Sequence, residues 1–277
     1  MDAPPDKENS EPFIHVAGLV RDAGLNGPIV HAKDLAQGFL LLSDLGTQTY
    51  LHVIKEANAD ELFAPAITAL IRWQLSSKAD ELPPYDDALL RRELALFPDW
   101  YVAKHLKREL SPAQAELLRS AEDVLVANAL AQPKVYVHRD YMPRNLMIST
   151  PNPGILDFQD AVYGPITYDV VSLFKDAFLS WPEQRVRAWV TQYWNEARAA
   201  GLPVASDFDV FYHHFELMGL QRHLKVLGIF ARINYRDGKP HYLADTPRFI
   251  LYVREVAGRH AELSGLVKLF DELGLVA

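Results

Sequence analysis

The chain contains no cysteine and no long apolar run. The lack of cysteine excludes disulfides, thiolate nucleophiles and cysteine-ligated metals. A membrane-spanning helix needs about 20 consecutive apolar residues, and the charged first residues, which include Asp2, Asp6 and Lys7, are unlike a secretion signal. We therefore expect a cytoplasmic protein without a membrane partner.

Positive charge is also scarce, since 28 basic residues stand against 36 acidic ones and the formal net charge is −8. This balance argues against nucleic acid as a partner, and a bound nucleotide would need a local basic patch. The 277 residues, of which 49% are hydrophobic and 23% charged, are typical of a globular protein with one large or two small domains.

The most specific stretch lies between residues 135 and 160. A β-branched and aromatic run at 135–137 predicts a strand that ends at His138-Arg139-Asp140. Two more apolar runs, at 146–148 and 154–156, flank a segment with two prolines and an asparagine, which predicts a turn. The pattern as a whole predicts a β-hairpin that follows a strand.

If the hairpin is symmetric about Pro151, Asn145 and Asp157 face each other at its open end. Facing residues on antiparallel strands have Cβ atoms about 4.5–5.5 Å apart, so an amide oxygen and a carboxylate could share one ion. Oxygen ligands of this kind suit Mg²⁺. The spacing predicts a metal site at Asn145 and Asp157.

Asp140 precedes Asn145 at the spacing of the protein-kinase catalytic loop H-R-D-x-x-x-x-N, and residues 157–159 stand where D-F-G would be. In that arrangement Asp140 orients the attacking hydroxyl and accepts its proton, while Asn145 and Asp157 hold Mg²⁺ on the nucleotide. Arg144 is a candidate for neutralising charge on the transferring phosphate. Ordinary polar turn residues are the alternative, but the combined spacing favours a phosphoryl-transfer site.

The segment from His138 to Asp169 resembles the aminoglycoside phosphotransferase and choline kinase superfamily. Within it, residues 138–147 and 157–165 look most like the anomeric sugar kinases of bacterial cell-wall recycling, which phosphorylate N-acetylmuramate and N-acetylglucosamine at C1. The resemblance implies an α+β, protein-kinase-like fold, ATP and Mg²⁺ as cofactors, and a small-molecule sugar as substrate. It also implies that Asp160 contacts the substrate and that Asp169 braces the catalytic loop.

We expect a remnant of the nucleotide-binding lobe and the hinge at 1–45, and a large, mostly helical lobe with the catalytic hairpin at 46–277. A helix to about Asp22 and paired strands at 29–35 and 38–43 would form the small lobe. The end of the second strand resembles the hinge that binds adenine in kinase-like proteins, so backbone groups near Ser43 and Leu45 are expected to bind the purine. A buried strand that ends in a turn is an equally good interpretation.

The sequence lacks a recognisable phosphate-covering loop and strand lysine, which kinases of this class use. Lys7, Lys33 and Lys55 are the lysines before residue 78, and none has the expected strand context. Because similar proteins carry additional upstream sequence, we expect the N-terminal part of the small lobe to be missing. An unpaired edge at 29–43 would then favour poor solubility or an edge-mediated dimer over a monomer.

Helical periodicity dominates the remainder of the chain. It predicts a helix after residue 57, a helix with a capping box at 111–114, helices at 169–179 and after a second capping box at 180–183, one or two helices at 207–235, and two more within 246–276.

Polar residues interrupt the apolar segment at Gln221, Arg222, His223 and Lys225. They form either a solvated face or a pocket for a substrate acid, because an arginine fork can bind a carboxylate such as a lactyl group bidentately. In the second interpretation Arg222 and His223 bind the substrate. A cationic aminoglycoside or choline would instead favour clustered acids. A kinase for another small alcohol and an inactive kinase-like binding module stay open as alternatives.

Overall fold

The computed structural model describes residues 1–276. The helices are α1 (Glu11–Asp22), α2 (Tyr50–Val53), α3 (Ala59–Leu75), α4 (Asp87–Leu94), α5 (Pro112–Ala131), α6 (Tyr168–Phe174), α7 (Glu183–Ala199), α8 (Phe208–Asp237), α9 (Thr246–Ala257) and α10 (Ser264–Glu272). The strands are β1 (Val30–Asp34), β2 (Phe39–Leu42), β3 (Lys134–Val137), β4 (Leu146–Met147), β5 (Gly154–Ile155) and β6 (Val162–Pro165). Phe97–His105 forms a π-helical segment, and short 3₁₀ turns lie at Pro143–Asn145, Pro240–Asp245 and Ala261–Leu263.

The chain forms two compact units. The first contains Met1–Pro84, Pro133–Asp176 and Ser180–Phe208, and the second contains Tyr85–Gln132, Ala177–Leu179 and the segment from Asp209 onward. The small sheets, the hinge segment and the catalytic hairpin all belong to the first unit, while the second is helical. These features confirm the expected α+β architecture, and the boundary at residue 45 stays a prediction.

In the first unit β1 and β2 pair antiparallel, as predicted, with Lys33 opposite Leu40. The outer edge of β2 is not bare, however. The N–H of Ala3 donates to the carbonyl of Gly38 over 2.9 Å, and the N–H of Leu40 donates to the carbonyl of Met1 over 3.1 Å. The expected unpaired edge is therefore wrong for this side of the sheet, because residues 1–3 cover it.

The catalytic hairpin is β4 and β5, which pair antiparallel. Strand β3 leads into it and pairs antiparallel with β6, which follows it. The strand and hairpin predicted from the sequence are thus confirmed. The pairing of β3 with β6 and of β4 with β5 places the loop between β3 and β4 beside the residues that follow β5.

Aromatic side chains pack around the connection between α6 and α7. Trp181 lies edge-on to Phe63 and Trp189, with ring centroids 6.0 and 5.3 Å away. The predicted helix at 169–179 is too long, since α6 ends at Phe174. The predicted helix start at Ser180 is wrong, because α7 begins at Glu183 with Pro182 at its N-cap position, and Glu183 forms an ion pair with Lys175.

The second unit follows the sequence pattern closely. Ser111 and Gln114 form the predicted capping box at the start of α5, with both reciprocal hydrogen bonds present. The segment predicted as one or two helices at 207–235 is one helix, α8, and α9 and α10 are the predicted C-terminal pair. None of the helices formed by the described residues combines the length and apolar character that crossing a bilayer requires.

Candidate active site

The loop that follows β3 is held by one buried carboxylate. Oδ2 of Asp169 accepts the N–H of His138 over 2.6 Å, and Oδ1 accepts the N–H of Arg139 over 3.0 Å. Arg139 has φ 74°, in the left-handed region that is unfavourable for a residue with a Cβ. The two hydrogen bonds stabilise this conformation, which confirms that Asp169 braces the loop.

His138 supports the same loop from inside. Its side chain is buried, and its Nδ1 accepts the backbone N–H of Asp140 over 3.3 Å. Burial lowers the pKa of His138, against the opposing charges of Asp140 and Asp157, so the neutral ring with an acceptor nitrogen is favoured. The structure therefore gives His138 a bracing position.

Asn145 links the two acids of the site. Its Nδ2 donates to the backbone carbonyl of Asp140 over 2.9 Å and to Oδ2 of Asp157 over 3.2 Å. The predicted contact between Asn145 and Asp157 is present, and the same amide also binds the backbone of Asp140 in the catalytic loop. All three residues belong to the first unit.

The predicted register is wrong by one residue. Leu146 pairs with Ile155, and the N–H of Leu156 donates to the carbonyl of Asn145 over 3.0 Å, so Asn145 lies opposite Leu156 rather than Asp157. A slip of one residue normally turns a side chain to the other face. Here the chain has left the strand and Asp157 has φ 64°, which reorients its carboxylate toward Asn145.

Phe158 anchors the segment that carries Asp157. Its ring is fully buried and stacks on Phe13 of α1, with centroids 5.0 Å apart. The ring of His138 lies edge-on to Phe158, with centroids 6.5 Å apart. The segment 157–159 was compared with the D-F-G motif, which includes Phe158. The sequence did not identify Phe13 as the residue that packs on it. The apolar face of α1 was the available signal.

Arg144 and Asp160 are both exposed near these residues in the chain. Arg144 lies in the 3₁₀ turn Pro143–Asn145, directly before Asn145. The backbone carbonyl of Asp160 accepts a hydrogen bond from Nη1 of Arg139 over 3.4 Å, which ties the end of the site to the catalytic loop. Their predicted roles, charge neutralisation for Arg144 and substrate contact for Asp160, stay predictions.

The hinge segment contacts the hairpin through Leu45. A Cβ on Gly154 would lie 3.1 Å from Cδ1 of Leu45 and 3.1 Å from Cβ of Met147, so these three residues are closely packed. Ser43 donates its N–H to the carbonyl of Ile29 over 3.0 Å, and its hydroxyl accepts the N–H of Ile29 over 2.8 Å. A purine contact by Ser43 would therefore use its carbonyl, and both hinge assignments stay predictions.

Asn26 was missed by the sequence reasoning. Its Nδ2 donates to Oγ of Ser149 over 2.9 Å and to the carbonyl of Pro151 over 2.6 Å, and its carbonyl accepts the N–H of Ile155 over 2.7 Å. One residue thus fixes the turn of the hairpin and one of its strands. No local signal marked it, because these partners lie more than a hundred positions away in the chain.

The polar cluster on α8 lies within the second unit and is not a solvated face. Gln221, Arg222, His223 and Lys225 are 0–7% exposed. Lys225 forms an ion pair with Glu93 over 2.7 Å, and Nε2 of Gln221 donates to the same carboxylate over 3.3 Å. Glu93 was missed, although the spacing of Gln221 and Lys225 puts them on one helix face and indicates a shared partner.

Arg222 and His223 are the two residues predicted to bind the substrate. The ring of His223 packs between the aromatic side chains of α9, with centroids 5.0 Å from Tyr252 and 5.6 Å from Phe249. Both residues lie in the second unit, whereas Asp140 lies in the first. Their role as substrate ligands therefore stays a prediction.

Asp140, Asn145 and Asp157 come together in an α+β fold, which is the arrangement expected of a phosphotransferase. The sequence model of the phosphotransferase enzyme family, APH, matches residues 1–208, and the chain belongs to this family. It is an enzyme of the kinase class that phosphorylates an alcohol.

Curated relatives match almost the whole chain. It is 58% identical to an N-acetylmuramate/N-acetylglucosamine kinase of Pseudomonas putida over 99% of this chain and 80% of the relative. A protein of the same name from Pseudomonas aeruginosa is 57% identical over 99% of this chain and 81% of its own length. For that of Neisseria meningitidis the identity is 50%, with coverage of 99% and 82%.

Solved structures share the fold at low sequence identity. A choline/ethanolamine kinase family protein from Mesorhizobium loti aligns with a TM-score of 0.64 and 13% identity, over 95% of this chain and 82% of that one. The ADP-bound aminoglycoside phosphotransferase APH(2'')-Ib aligns with a TM-score of 0.58 and 14% identity, over 90% and 83%. These likenesses confirm the kinase-like fold and say nothing about the acceptor.

Proposed function

We propose that the chain transfers the γ-phosphoryl group of ATP to the anomeric hydroxyl of N-acetylmuramate and N-acetylglucosamine, in recycling of the cell wall. The position of Asn145, which bonds to the carbonyl of Asp140 and to the carboxylate of Asp157, is the observation that carries the proposal. It holds the backbone of Asp140, the proposed proton acceptor, beside the oxygen-rich pair of Asn145 and Asp157. The names of the relatives supply the acceptor.

In this reaction Asp140 orients the C1 hydroxyl and accepts its proton. The hydroxyl oxygen forms a bond to the γ-phosphorus while the bond from that phosphorus to the β,γ-bridging oxygen breaks, and ADP leaves. Arg144 faces the charge of the phosphoryl group in transit. Catalysis of this type depends on positioning and charge stabilisation more than on covalent chemistry.

Asn145 and Asp157 would hold Mg²⁺. Their side-chain oxygens fit that ion, because Mg²⁺ prefers carboxylate, carbonyl and water ligands, and the Asp157 carboxylate is exposed beside the Asn145 amide. When bound, the ion would supply positive charge that neutralises the nucleotide phosphates. Asn145 has a second task, which is to keep Asp140 and Asp157 at a fixed separation.

On the nucleotide side, Leu45 and the carbonyl of Ser43 would contact the purine. The packing of Leu45 against Gly154 and Met147 supports this, because it sets the hinge directly on the catalytic hairpin. On the acceptor side, Asp160 is assigned to sugar hydroxyls, and Arg222 with His223 to the lactyl carboxylate of N-acetylmuramate. We expect Arg222→Met to raise KM for N-acetylmuramate and to spare N-acetylglucosamine, which has no carboxylate.

The decisive experiment is a coupled ADP-release assay with N-acetylmuramate, N-acetylglucosamine, kanamycin and choline. We expect turnover with the two sugars alone, and loss of reducing-end reactivity in the product, because phosphorylation at C1 locks the ring. Asp140→Asn should lower kcat by roughly 10²–10⁴-fold, the usual contribution of a general base. Asp22→Asn, the same change on an exposed surface acid, is the matched control.

Three results would overturn the proposal. Turnover with kanamycin or choline would show that the enzyme uses another class of acceptor. A product that keeps its reducing end would show that the phosphate is not attached at C1. ATP binding without turnover on any sugar would instead favour an inactive binding module.

Solution mass measurements on the same preparation would distinguish a monomer from the edge-mediated dimer.

A further inference from the structure

A cluster of histidine and glutamate side chains lies in the second unit and includes none of the residues assigned above. His213 and Glu216 are three positions apart on α8 and so share a helix face. His260 and Glu262 come from the connection between α9 and α10. One ligand atom each from His213, His260 and Glu262 lie within 4.8 Å of one another.

The orientation of His260 is fixed by a carboxylate outside this group of three. Nε2 of His260 lies 2.9 Å from Oε2 of Glu216, and Glu216 is itself held by Nη2 of Arg259 over 2.5 Å. Because a carboxylate only accepts hydrogen bonds, Nε2 is the donor in this contact. The other ring nitrogen, Nδ1, lies 3.9 Å from Oε1 of Glu262. Nδ1 is therefore the nitrogen left for a metal, and it lies on the side of Glu262.

This arrangement is the one that metal-binding histidines adopt. A ligating histidine almost always donates its other N–H to a carboxylate or carbonyl, which fixes the tautomer and strengthens the ligand. Two imidazoles and a carboxylate suit Zn²⁺ or a similar divalent transition ion, whereas Mg²⁺ prefers oxygen. We propose that His213, His260 and Glu262 form a Zn²⁺ site, with Glu216 as the residue that positions His260.

Only small adjustments separate the cluster from a bound geometry. Ligand atoms on one tetrahedral Zn²⁺, at about 2.0–2.2 Å from the metal, are about 3.3 Å apart. Glu262 is 43% exposed at its side chain and can move to close that gap. The three ligands leave one position for water, and the ion would tie α8 to the α9–α10 connection.

The test is Zn²⁺ titration of the full chain by calorimetry in excess Mg²⁺, with Co²⁺ absorption as a spectroscopic readout of tetrahedral ligation. We expect one Zn²⁺ per chain and a rise in melting temperature on binding. His213→Ala and Glu262→Gln should weaken binding by more than about tenfold, and Glu216→Gln by roughly 10–100-fold through the orientation of His260. His31→Ala, which removes an exposed histidine elsewhere, should bind like the native chain.

Absence of stoichiometric Zn²⁺ binding would overturn the proposal and leave His260 as an ion-pair partner of two glutamates. Binding that survives both His213→Ala and Glu262→Gln would overturn it as well, since another site would then be responsible. Asp140→Asn should retain Zn²⁺ affinity, so the outcome is independent of the phosphotransferase assignment. We test the histidine ligands with His213→Ala and not with His260→Ala, because loss of the hydrogen bond from His260 to Glu216 could itself prevent folding. His213 does not take part in that bond.

Discussion

Asp169 and His138 are joined by a 2.6 Å hydrogen bond from the backbone N–H of His138 to a carboxylate oxygen that is fully withdrawn from solvent. The second oxygen holds the N–H of Arg139, so one acid sets the backbone on which Asp140 is carried. Hydrogen bonds to a charged group are stronger than neutral ones. The geometry of the catalytic loop thus depends on a residue that performs no chemistry.

Replacing Asp169 by Asn should therefore impair both stability and catalysis. One acceptor oxygen becomes an NH₂ group that faces a backbone N–H, and an unsatisfied buried donor costs about 1–3 kcal/mol. We expect a loss of that size in urea unfolding, together with a fall in kcat. Asp22→Asn controls for the charge change, and native-like kcat in Asp169→Asn would contradict the bracing role.

The catalytic segment was predictable because its determinants are local. The prolines at 151 and 153 mark the turn, and the short apolar runs on either side give the strands, so Asn145 and Asp157 could be brought together from the sequence alone. Their register could not, since it depends on Asn26, which fixes the turn through contacts with a distant segment.

Long-range partners of buried charges were likewise beyond the sequence. The sequence indicated a polar cluster that includes Gln221 and Lys225, but their partner Glu93 lies 128 positions before Gln221. The predicted ends of α6 and α7 were also wrong, and they lie in a segment where Trp181 packs on Phe63 and Trp189, which are distant in the chain or on the next helix. Local chemistry specified the elements, and tertiary contacts decided their limits.

The buried pair of Glu93 and Lys225 should show strong energetic coupling. Removing one partner leaves an uncompensated buried charge, which costs about 3–5 kcal/mol, so Glu93→Gln and Lys225→Met should each be strongly destabilised in urea unfolding. The double variant should lose less than the sum of the two, by roughly 1–3 kcal/mol. Additive losses would mean that the two charges do not stabilise each other.

Gly228 in α8 and Gly18 in α1 offer a matched pair of helical glycines. A Cβ at Gly228 would lie 2.2 Å from the backbone carbonyl carbon of Leu96, whereas a Cβ at Gly18 would have no neighbour within 4 Å. Gly228→Ala should destabilise by about 1–3 kcal/mol or more, as overpacking does. Gly18→Ala should stabilise by up to about 1 kcal/mol from helix propensity. Equal effects in urea unfolding would contradict the close approach at Leu96.

Histidine burial should make the fold less stable in mild acid. Burial lowers the pKa of His105, His138 and His214, while an unfolded histidine titrates near about 6.5. The unfolded chain thus binds more protons below that pH, so the stabilisation is complete above about 6.5 and is lost as the pH falls. Glu122, whose pKa is raised by burial, acts in the opposite direction as the single such acid among the groups with a resolved shift.

We expect the urea midpoint to fall between about pH 7.5 and about pH 5.5, with a shallower fall in His214→Gln and an unchanged one in His31→Gln. A midpoint that stays constant or rises on acidification would contradict the burial of these rings.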